Sequence, residues 1–109
     1  MKAKRISIFI NEADKWRGRP LHIELLQALA EEGIAGATVV RGVAGYTKSH
    51  GIATTSLVDA GGLLPLVLEF IDSEEHVERL LPMLYEMVGN RLITTSDLDI
   101  RHGGAFPKP

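Results

Sequence analysis

The chain alternates between two hydrophobic periods. Ile6, Ile8 and Ile10 recur at every second position, with Ser7, Phe9 and Asn11 between them. β-Branched residues at that spacing predict a strand over Lys4–Asn11 with one face buried. Phe9 would place an apolar ring on the second face as well. After a polar connection from Glu12 to Arg19, the period changes. Pro20 suits the first position of a helix, where its missing N–H costs nothing. Leu21, Leu25, Ala28 and Leu29, flanked by Leu26 and Ala30, form one helical stripe. Gly33 reads as its stop, with Ile34 supplying the hydrophobic contact that follows such a stop.

The second half repeats this alternation. Ala37–Gly45 reads as a strand weakened toward its end by Gly42 and Gly45. Leu64, Leu66, Leu68 and Phe70 share one face of a third strand over Leu63–Ile71, where Pro65 fits an edge or the first strand residues. Asp72 and Glu75 have the spacing of a capping box. Val77, Leu80, Leu81, Leu84 and Val88 follow as a buried stripe, with Pro82 expected to kink one continuous helix and Gly89 to end it. Arg91–Ser96 reads as a short connection or a frayed strand start, and a last strand is expected around Leu98 and Ile100. The order β-α-β-β-α-β predicts an α+β, ferredoxin-like (split βαβ) sandwich, a four-stranded antiparallel sheet with two helices on one face. Its other face would carry Ser7, Phe9, Val39 or Val40, and Val67 or Leu66, depending on register. That face is too apolar for water, which predicts burial by subunit association.

Between the second and third strands, from Tyr46 to Gly62, no period emerges. The wider stretch Gly33–Gly62 holds seven of the eleven glycines. Unstructured loops longer than about 12–15 residues are uncommon in compact domains and are usually functional or disordered. The expectation is a mobile loop over 46–62, part of which pairs as a hairpin extension, and a flexible tail over 103–109.

Composition narrows the function. With 109 residues the chain is expected to form one domain. A net charge of −2 argues against bulk nucleic-acid binding. An RNA-recognition module shares this element order, but only Phe9 and Phe70 offer aromatic platforms. There is no cysteine, hence no thiolate chemistry, and no leader or membrane span is legible. A soluble, cytoplasmic protein is expected. His22, His50, His76 and His102 lack metal-ligand spacing. No hydroxyl of Thr54–Ser56 has an identifiable His and Asp partner, so no catalytic constellation is legible and no enzyme is expected.

The residues Ile8-Phe9-Ile10-Asn11-Glu12, Gly18-Arg19-Pro20-Leu21, the long Glu32–Tyr46 segment, Leu64-Pro65 and Leu92-Ile93-Thr94 carry a resemblance to the family called "domain of unknown function 190". The resemblance covers nearly the whole chain. It implies the fold of the PII signalling and CutA proteins, homotrimers of ferredoxin-like subunits, and some members of the family occur with a fluoride-exporting channel. PII proteins hold a nucleotide between subunits, beneath the loop joining strands two and three. Carried over by position, the loop is Tyr46–Gly62, rooted at Arg41, Gly42 and Gly45. The phosphate turn is Gly89-Asn90-Arg91, shorter and poorer in glycine and lysine than its PII counterpart, and the late basic residues are Arg101 and His102. The resemblance thus implies a sensor of a small anionic metabolite, with an adenine nucleotide as a candidate effector, no resident cofactor, and a membrane transporter or channel as a candidate partner. A CutA-like structural or metal-related trimer is the alternative, and a ferredoxin-like oxygenase the third.

The residues also admit simpler roles. Arg41 can fork onto an anion or form a salt bridge. Gly42 and Gly45 can present backbone N–H groups to a ligand or mark a bulge. Arg91 and Arg101 can contact phosphate or be surface charges. Trp16 and Arg17 can cover a ligand or anchor an interface.

Overall fold

A computed structural model describes residues 1–54 and 63–103. β1 (Lys2–Asn11) runs through the middle of a four-stranded antiparallel sheet, between β7 (Pro65–Ser73) and β8 (Leu92–Asp99). β4 (Ala37–Arg41) adds to the outer edge of β7. The spatial order β4-β7-β1-β8, with α1 (Leu21–Glu31) and α2 (Glu74–Val88) on one face, is the ferredoxin-like plan.

Period-two burial aligns across strands to make the core. Ile6, Ile8 and Ile10 stand opposite Phe70, Leu68 and Leu66. All six are buried beneath Leu21, Leu25 and Leu29 of α1 and Val77, Leu80 and Leu84 of α2. The helix ends follow the local chemistry. Gly33, at φ +82°, lets its own N–H donate to the Ala30 carbonyl and Ile34 N–H donate to the Leu29 carbonyl, the paired bonds of a Schellman stop. Pro82 lies on the exposed side of α2, and the helix continues across it. Gly89 ends α2 at φ 62°, ψ −128°, a region essentially closed to side-chain-bearing residues. A Cβ there would meet open space, so the cost of Gly89→Ala is backbone strain alone. Chemical denaturation should show a loss of about 1–3 kcal/mol.

Tertiary pairing moves several boundaries. Pro20 is the residue before α1 rather than its first helical position. It belongs to a two-residue hairpin, β2 (Lys15–Trp16) with β3 (Arg19–Pro20), turned by Arg17 and Gly18 at positive φ. Arg17 stacks on the Trp16 ring, 4.1 Å from its centroid. β4 stops at Arg41 instead of Gly45: Gly42 N–H still donates to the Pro65 carbonyl at 2.8 Å in the same register, but Pro65 has no N–H to return the bond. β7 extends to Ser73 because its pairing with β1 runs on to Ala3. Asp72 is therefore a buried strand residue, and Ser73 caps α2 by accepting from His76 N–H. β8 starts at Leu92, not near Leu98, since ladder bonds to β1 carry Thr94, Thr95 and Ser96. Ile100 lies beyond the strand, its N–H donating to the Met1 carbonyl.

Part of the expected loop is paired, as the hairpin extension anticipated there. β5 (Ala44–Thr47) and β6 (His50–Thr54) form a hairpin turned at Lys48 and Ser49, with β5 lying against β7 and β1. The rest of the 46–62 expectation, residues 55–62, and the tail from 104 lie outside the described residues.

Register resolves the second sheet face. Val40, Val67, Phe9 and Leu92 stand side by side across all four strands. Val40 is 55 % exposed, Phe9 38 % and Leu92 58 %. Val39 and Leu66 face the helices instead. Among the described residues no helix is long and apolar enough to cross a membrane.

Candidate functional site

The end of β1 folds back on itself through short polar side chains. Asn11 is buried; its Oδ1 accepts from Ala13 N–H at 2.8 Å and its Nδ2 donates to the Leu63 carbonyl at 3.0 Å. Asp14 N–H donates to the Asn11 carbonyl, and Asn11 N–H donates to Asp14 Oδ2 at 2.8 Å. The Asp14 carbonyl then receives Leu21 N–H at the start of α1. These bonds fix the Asp14 carboxylate, only 7 % exposed, between two distant parts of the chain.

Arg91 reaches it from the turn after α2. Its Nε lies 2.9 Å from Oδ2 and its Nη2 3.1 Å from Oδ1, a two-pronged pairing of guanidinium and carboxylate. Nη1 donates to the Val88 carbonyl at 3.0 Å, which fixes the fork against the end of α2. His50 reaches Asp14 from β6, with Nε2 3.3 Å from Oδ1. One carboxylate therefore joins the end of β1, the turn after α2 and the β5–β6 hairpin.

Burial pushes the Asp14 carboxyl upward, but hydrogen bonds from Arg91, Asn11 N–H and His50, with the Arg91 charge, outweigh it and hold it below its ordinary value. A carboxyl lowered by folding contributes stability above its unfolded value, about 3.9 for aspartate, and that contribution is lost as pH falls through the folded value. The stability difference between the wild type and Asp14→Asn should therefore be full near pH 6 and shrink below about pH 4. Denaturation at a series of pH values checks this.

Beside this junction lies a cleft of about 420 Å³. Phe9, Ile10 and Leu92 give it apolar walls; Tyr46, Lys48 and Asn90 bring an aromatic ring, an ammonium and an amide to its rim. Its volume falls within the usual range for small-molecule sites, about 300–1,000 Å³. An apolar floor with a few cations and amides suits a ligand that has a flat or apolar body and an anionic group.

Of the residues expected to bind a ligand, Tyr46, Asn90 and Arg91 meet in this cleft, and Gly89 precedes them as the helix stop. Arg41, Gly42 and Gly45 lie at the hairpin root. Arg41 Nη2 is 3.1 Å from Glu12 Oε1, which also accepts Leu64 N–H at 2.9 Å. Gly42 and Gly45 face the Pro65 ring, where an added Cβ would come within 3.0 Å of Cγ. Arg101 is exposed past the far end of β8, where β8 pairs with the start of β1, and within this chain it is remote from the cleft. Asp14 and Lys48 were not singled out from sequence. Asp14 had one local signal, an Asn-x-x-Asp spacing directly after a strand, which favours side-chain-to-backbone turns. Among the described residues no group of three or more His, Asp or Glu side chains is arranged to hold a metal ion.

Similar proteins match nearly the whole length of this chain. The UPF0166 protein MJ1524 of Methanocaldococcus jannaschii is 36 % identical over 107 residues, covering 97 % of this chain and 98 % of that one. The UPF0166 protein of Aquifex aeolicus is 38 % identical over 102 residues, covering 92 % and 94 %. A solved structure, the "De novo designed protein Foldit4", has 15 % identity and a TM-score of 0.46, covering 92 % of this chain and 98 % of that chain. Residues 3–100 match the family model DUF190, described as "Uncharacterized ACR", and the chain belongs to that family.

Proposed function

We propose that this protein is a PII-like small-molecule sensor that binds an anionic metabolite at a subunit cleft, to which each subunit contributes the cavity between its β5–β6 hairpin and the turn after α2. The observation that carries the reading is the cleft itself: a cavity of about 420 Å³ whose walls come from the rigid sheet on one side and from the hairpin on the other. A ligand touching both sides can change how firmly the hairpin is held, which is how a segment becomes a signal. Lys48 and Asn90 at its rim suit an oxyanion, Phe9 and Tyr46 suit a planar body, and an adenine nucleotide has both parts.

In this reading the protein works in the cytoplasm as a homotrimer without catalysis or nucleic-acid binding. The row Val40, Val67, Phe9 and Leu92 supports association, since an apolar band across four strands loses free energy when left in water. A partner, with a membrane transporter or channel as the candidate, reads the state of the hairpin.

A thermal-shift and calorimetry screen with AMP, ADP, ATP, cyclic nucleotides and divalent metal ions tests the reading. A rise in melting temperature with a nucleotide is the expected result. A response to metal ions alone would favour a CutA-like, metal-related trimer instead. Mass in solution tests the assembly separately, and a monomer at micromolar concentration contradicts it.

A further inference from the structure

The cation that the cleft offers most directly is already taken. Each nitrogen of the Arg91 guanidinium has a partner: Nε and Nη2 hold Asp14, and Nη1 holds the Val88 carbonyl. The paired geometry at Asp14 is the one in which a guanidinium receives any two-oxygen anion, carboxylate or phosphate. Asp14 can be reached from the cleft, because both it and Arg91 line the cavity. The same carboxylate also touches His50 of the hairpin. An entering oxyanion therefore meets an internal one seated at Arg91, and the internal one is tied through His50 to the β5–β6 hairpin.

We propose that Asp14 is a built-in competitor for the ligand: its carboxylate occupies the anion seat at Arg91 in the unliganded protein, and an oxyanion of the ligand takes its place there. This rests on the sensor reading above and adds its regulation. The exchange has a mechanical consequence. Once Arg91 turns to the ligand, a carboxylate only 7 % exposed retains just Asn11 N–H and His50. A buried charge that has lost its guanidinium depends more strongly on the partners that remain. The His50 contact tightens, and with it the β5–β6 hairpin docks more firmly on the body. Lys48, which makes no ion pair among the described residues, is placed to close over the bound anion from the hairpin turn. Competition sets the affinity, and the displaced competitor carries the signal.

Asp14→Asn separates the two effects, because the amide keeps an acceptor for Asn11 N–H but gives up the charge that holds Arg91. Removing one charge-assisted competitor should tighten AMP and inorganic phosphate binding by about tenfold. The wild type should show AMP-induced slowing of hydrogen exchange across the 44–54 hairpin, and the variant should not. Unchanged or weaker AMP binding by the variant, with wild-type binding intact, overturns the exchange and leaves the sensor reading standing. Failure of the wild type to bind any oxyanion probe removes both. A second measurement needs no variant. In the wild type, the Asp14 carboxyl carbon and the Arg91 Nε resonances should shift together as AMP is added and saturate at the same concentration, while adenosine, which lacks the oxyanion, should leave the Asp14 carboxyl unmoved. An Asp14 carboxyl that stays still while AMP saturates the cleft overturns the proposal.

Discussion

Replacing Arg91 with alanine should lower stability by about 2–3 kcal/mol and abolish anion binding in the cleft together. The stability loss follows from what the substitution leaves behind. Asp14 would remain almost wholly buried, still tied to Asn11 N–H and His50 but without its guanidinium. Breaking a buried pair from one side costs about 3–5 kcal/mol, and the partial exposure of Arg91 places this pair toward or below the lower end. Arg91→Lys should recover only part of the loss, because an ammonium cannot make two parallel bonds to one carboxylate. Urea denaturation and calorimetric titration with AMP check the two effects on the same samples. A stable variant that still binds AMP would remove Arg91 from both roles.

Leu68→Ala should be at least as damaging for a different reason. Leu68 is fully buried at the centre of β7, paired with Ile8 on one side and Val39 on the other. Truncation leaves a cavity beneath the two helices, with an expected cost of about 3–4 kcal/mol. A domain of this size holds roughly 5–15 kcal/mol in all, so the variant should melt far below the wild type. Val40→Ala, on the exposed face of the neighbouring edge strand, should change the stability of the isolated subunit by less than about 1 kcal/mol. The contrast between the two, read by thermal denaturation, separates the helix-covered face of the sheet from the open one.

The parts of the fold that were legible are those where short-range pattern and long-range packing agree. Ile6, Ile8 and Ile10 alternate because the helices lie on one side of β1, and Leu64, Leu66, Leu68 and Phe70 alternate for the same reason. Gly33 and Gly89 mark helix ends because the chain needs positive φ at each. What escaped depends on distant partners. β4 ends where its partner Pro65, more than twenty residues away in sequence, has no N–H to return the bond from Gly42. Asp72 looked like a cap, yet the ladder to Ala3 carries the strand one residue past it and gives the cap to Ser73. Thr94, Thr95 and Ser96 have no apolar alternation to announce a strand, and β1 supplies their ladder bonds.

The candidate site divides along the same line. The turn Gly89-Asn90-Arg91 and Tyr46 could be named from the family resemblance, and Asn90, Arg91 and Tyr46 meet at one cleft. Asp14 could not, because its meaning lies in partners 36 and 77 residues away. Arg101 was grouped with Arg91 through the family resemblance; within one subunit the length of β8 separates them. Arg41 serves Glu12 and, through it, the Leu64 backbone, so within one subunit it braces the hairpin root.

The central claim is that the cleft between hairpin and turn receives an anionic ligand. The most direct measurement is an amide chemical-shift map of the wild type during titration with AMP. Saturable shifts concentrated at Phe9–Asp14, Tyr46–His50 and Asn90–Leu92 are the predicted result. Shifts absent at millimolar AMP, or clustered on the helix-covered side of the sheet, would contradict it.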